Sequence, residues 1–265
     1  MGRAMDGRVL YWVAAYLVDG LLIDTGCRHT AEDLLDYLQH RPIREVYVSH
    51  YHEDHIGGCA LLQHKLNLKI WAQPCSIPLI NSAPRLYPYQ ELVWGYPEPT
   101  EVQALPGNEL QTKHYSFQVV ETPGHSADHS VLIEPSKGWC FSGDLFVSEK
   151  IKVLRPEEDI SAIMRSMQKL LDFDLPREQE LVLFTSIGKI VLQGKTALKS
   201  CLVYLEKLGR EVKQLYRDEG LIEEQIVERL FGGESTMAEI TNGQFASVHL
   251  IRSLLKSESL DLELS

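Results

Sequence analysis

Residues 49–58, SHYHEDHIGG, concentrate side chains that can bind metal ions. Three histidines and an aspartate occupy six positions: His50, His52, Asp54 and His55. Neutral imidazole and carboxylate suit zinc, iron and related cations. In an extended loop, the rings of His50 and His52 can point the same way because they lie two residues apart. Four ligands exceed what one tetrahedral ion takes from one loop, so the stretch predicts two adjacent metal sites completed by residues elsewhere.

The elements around this stretch predict how it is positioned. Residues 44–48 (REVYV) follow Pro42 and read as a short strand, and residues 57–66 read as a helix. The cluster therefore lies on a loop between a strand end and a helix start, where open α/β sheets bind ligands. The alternative is a polar surface loop with chance histidines, but the density of ligand types argues against it.

Three further motifs accompany the cluster in chain order: LIDTG at residues 22–26, TPGHS at 122–126 and FSGD at 141–144. The His-x-His-x-Asp-His loop with these motifs resembles the metallo-β-lactamase superfamily over about residues 8–190. Within that superfamily, the chain is similar to glyoxalase II-like hydrolases with a helical C-terminal extension. The resemblance implies an α/β fold, a four-layer αββα sandwich. Residues 1–190 would form the metal-binding domain and residues 191–265 a small helical extension.

The resemblance also implies roles for individual residues. A first ion would be held by His50, His52 and His125. A second ion would be held by Asp54, His55 and Asp144, with Asp144 bridging the two ions and Asp54 also acting in catalysis by orienting the nucleophile.

Two further residues are candidates for supporting roles. Asp24 would orient the loop at residues 49–58, which we call the metal loop, since ligating histidines need such partners. An ordinary turn aspartate is an equal alternative. His129 would support a ligand or contact substrate, and a structural role fits it equally.

One position departs from the family pattern. Two-metal members usually carry a histidine just after the strand that residues 180–184 predict, but this chain reads FTSIG, with Ile187 at that position. Isoleucine cannot bind a metal. The first site is complete, whereas the second would use water or the hydroxyl of Thr185 or Ser186, or stay weak or empty.

Residues 74–106 are rich in proline and aromatic side chains. Seven of the twelve prolines fall here, interleaved with Tyr87, Tyr89 and Trp94 among others. Such a run predicts a long loop without regular helices or strands. We interpret it as an aromatic cover that shapes a substrate pocket; a surface excursion or a dimer contact is the alternative.

The remaining pattern predicts a mixed sheet region followed by helices. Residues 8–18 read as a strand, Asp19-Gly20 as a hairpin turn and residues 180–184 as the last sheet strand. Helices are predicted at residues 30–39, 158–171, 194–218, 221–230 and 243–255. Residues 257–265 are predicted to form a frayed tail.

Composition narrows the function classes. The chain of 265 residues carries a formal net charge of −11, which disfavours a nucleic-acid partner. Five scattered cysteines without a C-x-x-C pattern predict reduced thiols and a cytoplasmic protein. We expect no signal peptide and no membrane segment.

These features predict a metallo-hydrolase that uses a metal-bound hydroxide on a small-molecule ester, thioester or lactone. The resemblance implies one or two Zn²⁺ ions, with Fe²⁺ or Mn²⁺ as alternatives, and a homodimer. A second hypothesis is an oxidoreductase similar to the persulfide dioxygenases, with one iron bound by His50, His125 and Asp144. A third is a degenerate, non-catalytic member.

Overall fold

Two β-sheets and the connections between their strands position the metal loop. The computed structural model describes residues 1–82, 84–176 and 179–257. These residues fall into two units. The first unit comprises the described residues of Met1–Glu121, Asp128–Val147 and Leu175–Gln193, and the second comprises those of Thr122–Ala127, Ser148–Asp174 and the chain from Gly194. The domain boundary at residue 190 stays a prediction. The second unit also includes two segments that precede residue 190.

The first unit begins with a small hairpin and a five-stranded sheet. Strands β1 (Ala4–Met5) and β2 (Arg8–Val9) form the hairpin. The sheet has the order β3 (Tyr16–Val18), β4 (Leu21–Ile23), β5 (Glu45–Tyr47), β6 (Lys69–Ala72) and β7 (Gln103–Ala104). Its first pair is antiparallel and the others are parallel. The ends of β4 and β5 therefore lie at the same edge.

The predicted hairpin turn is confirmed, but the predicted strand over residues 8–18 is wrong. Asp19 and Gly20 both have positive φ, +50° and +89°, as a tight two-residue hairpin turn requires. Between β2 and β3 the backbone bonds to loops instead of a neighbouring strand: Val13 N–H donates to Met1 O and Ala14 N–H to Ser186 O. Apolar character alone could not reveal this break.

A six-stranded sheet completes the first unit. In sheet order, its strands are β13 (Ile190–Val191), β12 (Val182–Thr185), β11 (Trp139–Gly143), β10 (Ser130–Glu134), β9 (Ser116–Glu121) and β8 (Glu109–Gln111). Only β11 and β12 pair in parallel. The strand predicted near residues 180–184 is present, but it is not the last, because the two-residue β13 pairs back on it.

The side chains of β4 and β5 alternate between the two faces of the sheet and form two hydrophobic layers. Leu21, Ile23 and Tyr47 pack with Phe117 and Phe141 of the six-stranded sheet. The intervening strand side chains, Leu22 and Val46, pack with Leu34 of helix α1 (Ala31–Leu38) and Leu62 of helix α3 (Cys59–Leu66). Each fully buried aliphatic side chain contributes roughly 1.5–3 kcal/mol. The metal loop thus leaves a strand that is packed on both faces.

The prediction that residues 74–106 lack regular helices and strands is wrong, since β7 (Gln103–Ala104) also lies in this range. Besides α2 (Glu53–Ile56) in the metal loop, the first unit contains α4 (Ile77–Ile80) and α5 (Pro88–Trp94). Pro78 and Pro88 lie in the first turns of α4 and α5, where a missing N–H costs no helical hydrogen bond. These prolines begin helices instead of preventing them.

The second unit is helical among its described residues. It contains α6 (Ile160–Leu171), α7 (Gly194–Asp218), α8 (Glu223–Phe231), α9 (Thr236–Ile240) and α10 (Ser247–Lys256). The short α9 was not predicted. The predicted tail lies outside the described residues except for Ser257. Nowhere in the described chain is a helix both long and apolar enough to cross a membrane, and all five cysteines are free thiols.

Candidate metal centre

Asp24 joins the end of β4 to the metal loop that follows β5. Its backbone lies in the left-handed region, with φ +59°. Oδ1 accepts the Ser49 N–H at 2.8 Å, and Oδ2 accepts the Ser49 hydroxyl at 2.9 Å. Oδ2 also lies 2.8 Å from His55 Nδ1. Asp24 therefore fixes which ring nitrogen of His55 is engaged and which is left for a ligand.

The other nitrogen of His55 points toward two carboxylates. Nε2 lies 3.4 Å from Asp144 Oδ1 and 3.9 Å from Asp54 Oδ2. His55 is fully buried, and Nε2 has no hydrogen-bond partner among the described residues. A buried nitrogen without such a partner is costly, so this geometry fits a group that accepts a lone pair, such as a metal ion.

Three residues of the first unit converge on one point. Ligand atoms of His50, His55 and Asp144 all lie within 4.8 Å of one another. His50 is fully buried, and its Nδ1 lies 3.0 Å from Ser49 Oγ. Two imidazoles and a carboxylate form a donor set suited to Zn²⁺ or Fe²⁺. The histidine-rich cluster thus fits a divalent cation.

His52 and Asp54 lie beside this cluster and are both buried. His52 occupies the N-cap position of α2, and its Nδ1 lies 3.0 Å from His50 Nε2. The two rings meet edge to face, with centroids 4.6 Å apart. The loop therefore brings all four predicted ligands of residues 50–55 into one neighbourhood.

Electrostatics in the cluster favour a cation. Burial alone would lower the pKa of His55, but the carboxylates of Asp24, Asp54 and Asp144 raise that pKa well above the usual 6.5. In the protein without metal, a proton on His55 neutralises part of this negative charge. A divalent ion would replace that proton and supply more positive charge at the same place.

His129 holds the backbone that carries Asp144. The Asp144 N–H donates to His129 Nε2 at 3.1 Å, and His129 is buried. Gly143 adopts φ +48°, and a Cβ built there would lie 2.6 Å from His129 Nε2. The glycine in the Ser-Gly-Asp sequence therefore allows both the left-handed turn and the approach of the imidazole.

A second set of contacts supports the metal loop, and the sequence did not predict them. Asp128 Oδ2 accepts the Tyr51 N–H at 3.0 Å. Ser130 donates its N–H and its hydroxyl to Ser49 O, each at 3.0 Å. The Ser130 hydroxyl also lies 2.7 Å from the Tyr47 phenol, whose pKa is raised by burial. The Asp-His-Ser sequence at residues 128–130 was the only available signal.

Comparisons with known proteins agree with this geometry. A sequence profile described as the Metallo-beta-lactamase superfamily matches residues 13–185. The chain belongs to the metallo-β-lactamase superfamily. Residues 13–185 include the metal loop and every strand of the two larger sheets except β13. The chain has the α/β sandwich fold of that superfamily followed by C-terminal helices.

Curated relatives of the superfamily match part of the chain. A "Beta-lactamase-like protein 2 homolog" of Drosophila melanogaster is 30% identical over 57% of this chain and 50% of its own length. A "Hydroxyacylglutathione hydrolase" of Legionella pneumophila is 29% identical over 40% of this chain and 35% of its own. An "Atrochrysone carboxyl ACP thioesterase" of Aspergillus fumigatus is 27% identical over 57% and 42%, respectively. The chain thus spans half or less of the length of these relatives.

Solved structures show the same fold. A "Beta-lactamase domain protein" of Burkholderia ambifaria has a TM-score of 0.67 at 18% identity. The match covers 92% of this chain and 81% of the Burkholderia chain. TTHA1623, solved "in a di-iron-bound form", has a TM-score of 0.53 at 27% identity. The match covers 69% of this chain and 91% of the TTHA1623 chain.

The turn at Ile187 adjoins the strand end that carries Asp144. Ser186 N–H donates to Gly143 O at 3.2 Å, next to Asp144. The Thr185 hydroxyl is engaged by Lys189, donating to its O at 2.9 Å and accepting its N–H at 3.1 Å. Thr185 is therefore a poor substitute for the histidine that two-metal members of the superfamily carry.

The remaining predicted residues fall into two groups. His125 belongs to the second unit, where its Nδ1 lies 2.5 Å from Glu158 Oε1. In the first unit, α5 places Tyr87 and Tyr89 with stacked rings, and Tyr87 is exposed, whereas Trp94 is buried against Tyr11. Trp94 therefore packs inside the protein, while Tyr87 is open to a ligand.

A hydrogen bond that the sequence did not predict connects α5 to the metal loop. Gln90 Nε2 donates to Glu53 Oε1 at 2.8 Å, and both side chains are buried. Glu53 directly precedes Asp54. The proline-rich segment is thus attached to the loop that carries the cluster.

Proposed function

We propose that this protein is a metal-dependent hydrolase that acts on a small-molecule thioester. The observation that carries the proposal is the convergence of His50, His55 and Asp144 around a buried, unbonded His55 Nε2. Membership of the superfamily supports hydrolysis, and the names of the Legionella and Aspergillus relatives support a thioester. Esters and lactones are the wider class that the shared motifs also support.

The proposed metal ligands follow the family pattern. His50, His52 and His125 would hold the first ion, and Asp54, His55 and Asp144 would hold the second. Zinc suits this donor set, and the di-iron form of the 27% identical TTHA1623 supports iron as the alternative. When bound, the ion supplies a water of lowered pKa, from about 16 toward roughly 7, and polarises the substrate carbonyl.

The side chains of the loop position the reacting groups. Asp54 accepts a hydrogen bond from the attacking water and orients it. Asp24 holds His55 through Nδ1, so that Nε2 faces the ligand position. The buried setting strengthens these electrostatic interactions because water screens them little. Tyr87, which is exposed, and Tyr89, which stacks on it, are the aromatic side chains that would contact the substrate.

A hydrolysis assay tests this proposal. We expect the metal-loaded protein to hydrolyse S-lactoylglutathione or an acyl-coenzyme A, and His52→Ala to lose at least 100-fold in kcat/KM. His64→Ala is the matched control, because His64 is exposed on α3. Equal activity of His52→Ala and wild type would overturn the proposal.

Ile187 supports a second candidate, an iron-dependent dioxygenase of persulfides. With no histidine at that position, a single ion on His50, His125 and Asp144 is the simpler site. Oxygen uptake with a persulfide substrate, together with one iron per chain and no thioester hydrolysis, would favour this candidate. The homodimer and the cytoplasmic location stay predictions.

A further inference from the structure

Gln90 uses both ends of its side-chain amide, and the two ends hold different elements of the first unit. Its Oε1 accepts the Tyr87 N–H at 2.8 Å and so caps the N-terminus of α5. Its Nε2 donates to Glu53 Oε1 at 2.8 Å. Because one end accepts from an N–H and the other donates to a carboxylate, a flip of the amide would lose both hydrogen bonds. One side chain therefore holds the start of α5 and the metal loop together.

The contact between Gln90 and Glu53 is shielded from water. The two residues are 6% and 3% exposed, respectively, and a buried polar group that loses its partner is costly. Glu53 lies between His52 and Asp54, two of the candidate ligands, and is the first residue of α2. Helices α2 and α5 also contact each other. A displacement of α5 would therefore disturb the segment that carries these ligands.

The C-terminal end of α5 is fastened separately. Trp94 is buried, and its ring meets that of Tyr11 edge to face, with centroids 5.0 Å apart. One turn earlier, Glu91 O lies 3.1 Å from His29 Nε2. Because α5 is held at both ends, the side chains of its first turn have a defined place beside the metal loop.

Two aromatic rings stand at the N-terminal end of α5. Tyr87 and Tyr89 are nearly parallel, with ring planes 10° apart and centroids 6.3 Å apart. Tyr87 is 49% exposed. Since the Gln90 amide bonds both Tyr87 N–H and Glu53, the backbone nitrogen of Tyr87 lies within about 8 Å of the Glu53 carboxylate. An aromatic surface this close to the candidate ligands is placed to contact the part of a substrate that adjoins the reacting bond.

We propose that Gln90 and Glu53 are a positioning pair that keeps Tyr87 and Tyr89 beside the metal loop, and that these rings select an acyl group carrying an aromatic ring. This acyl class rests on the proposed function, because it specifies which thioester the protein would hydrolyse. Aromatic rings gain from offset-stacked or edge-to-face contacts beyond the burial of their area, which favours an aryl group over a straight alkyl chain.

Binding of the product acids tests the aromatic surface without an assay of hydrolysis. Phenylacetate and acetate are each titrated calorimetrically into the full-length, metal-loaded protein. We expect phenylacetate to bind at least 10-fold more tightly than acetate, and Tyr87→Leu to reduce this ratio at least fivefold. Tyr37→Leu, an exposed change on α1, should keep the wild-type ratio. Equal affinities of the wild type for both acids, or octanoate binding at least tenfold tighter than phenylacetate, would overturn the aromatic preference.

Exchange of the two side chains tests the positioning pair. Gln90→Glu places a second carboxylate against Glu53 in a buried contact, so we expect the ratio to fall at least fivefold. The double variant Glu53→Gln/Gln90→Glu again sets an amide donor opposite a carboxylate, which can also accept the Tyr87 N–H, and should recover the wild-type ratio.

Gln39→Glu is the matched control for this exchange. Gln39 Nε2 donates to Asp36 Oδ1 at 2.8 Å, the same kind of contact at an exposed position, so this variant should keep the wild-type ratio. An unchanged ratio in Gln90→Glu, or no recovery in the double variant, would refute the positioning pair.

Kinetics separate the aromatic selection from thioester hydrolysis itself. We expect kcat/KM for phenylacetyl-coenzyme A to exceed that for acetyl-coenzyme A at least 10-fold, with the difference reduced in Gln90→Glu and recovered in the double variant. Selective binding of phenylacetate without hydrolysis of either thioester would retain the aromatic surface and refute the thioesterase. Hydrolysis of both thioesters with equal kcat/KM would retain the thioesterase and refute the aromatic selection.

Discussion

Asp24 Oδ2 lies 2.8 Å from His55 Nδ1, and through this contact the end of β4 sets the orientation of a candidate metal ligand in the loop that follows β5. Both strands are parallel neighbours, so their ends meet at the same edge. The same carboxylate binds the N–H and hydroxyl of Ser49. One side chain thus fixes both the course of the loop and the ring of His55.

Replacing Asp24 tests this relationship. We expect Asp24→Asn to weaken metal binding by about 10–100-fold, because outer carboxylates orient and strengthen ligating histidines. Metal affinity is measured by competition with a chelator of known affinity. Asp33→Asn, an exposed change of equal charge on α1, should bind metal like the wild type. Equal affinities of all three proteins would contradict the role of Asp24.

The pKa of His55 predicts how the metal-free protein responds to pH. Its folded pKa is raised above the unfolded value of about 6.5 by Asp24, Asp54 and Asp144. The stability that this group contributes is therefore fully present below about pH 6.5 and is lost as pH rises through the folded pKa.

Urea unfolding at several pH values measures this effect. We expect the free energy of unfolding of the metal-free protein to fall above neutral pH, by at most about 1.4 kcal/mol per pH unit from this group. His55→Gln should remove that component of the slope. A wild-type slope no steeper than that of His55→Gln would show that His55 is not protonated in the folded protein.

Gly143 is predicted to tolerate no side chain. Gly143→Ala adds a Cβ at φ +48° against His129, so we expect a loss of about 1–3 kcal/mol in unfolding free energy and weaker metal binding. Gly107→Ala is the matched control: it also has positive φ, +90°, but no atom within 4 Å of an added Cβ. It should lose less stability and keep the metal. Metal binding by Gly143→Ala equal to that of Gly107→Ala would refute the packing argument.

Ile187→His should raise the affinity for a second ion, because its turn is hydrogen-bonded beside Asp144 and the substitution restores the family ligand. Metal stoichiometry after dialysis against dilute zinc measures this change. Ile190→His, an exposed change on β13, should leave the stoichiometry unaltered. The same stoichiometry in both variants would contradict the assignment of position 187.

The sequence identified the candidate ligands of the loop because they are contiguous, and the resemblance added Asp24, Asp144 and His125 as candidates. It could not reveal contacts between distant residues. Ser130 bonds Ser49, 81 residues away, and Gln90 bonds Glu53, 37 residues away. Polar residues of this kind are common in loops, so only tertiary packing shows which are buried and paired.

Sequence patterns were also ambiguous in the segments that connect the strands. Prolines at residues 78 and 88 predicted an irregular loop, yet their positions at helix N-termini are compatible with α4 and α5. The apolar run at residues 8–18 predicted one strand, because hydrophobicity does not specify where hydrogen-bonded pairing stops. The tight turn at Asp19-Gly20 was predictable, since its backbone requirement is local.

Elemental analysis of the full-length protein, purified without added metal and compared with His55→Ala, tests the central claim most directly. We expect one to two zinc or iron ions per chain in the wild type and a clear reduction in the variant. No bound metal in the wild type, even after reloading with zinc and with iron, would contradict the proposed metal-dependent function.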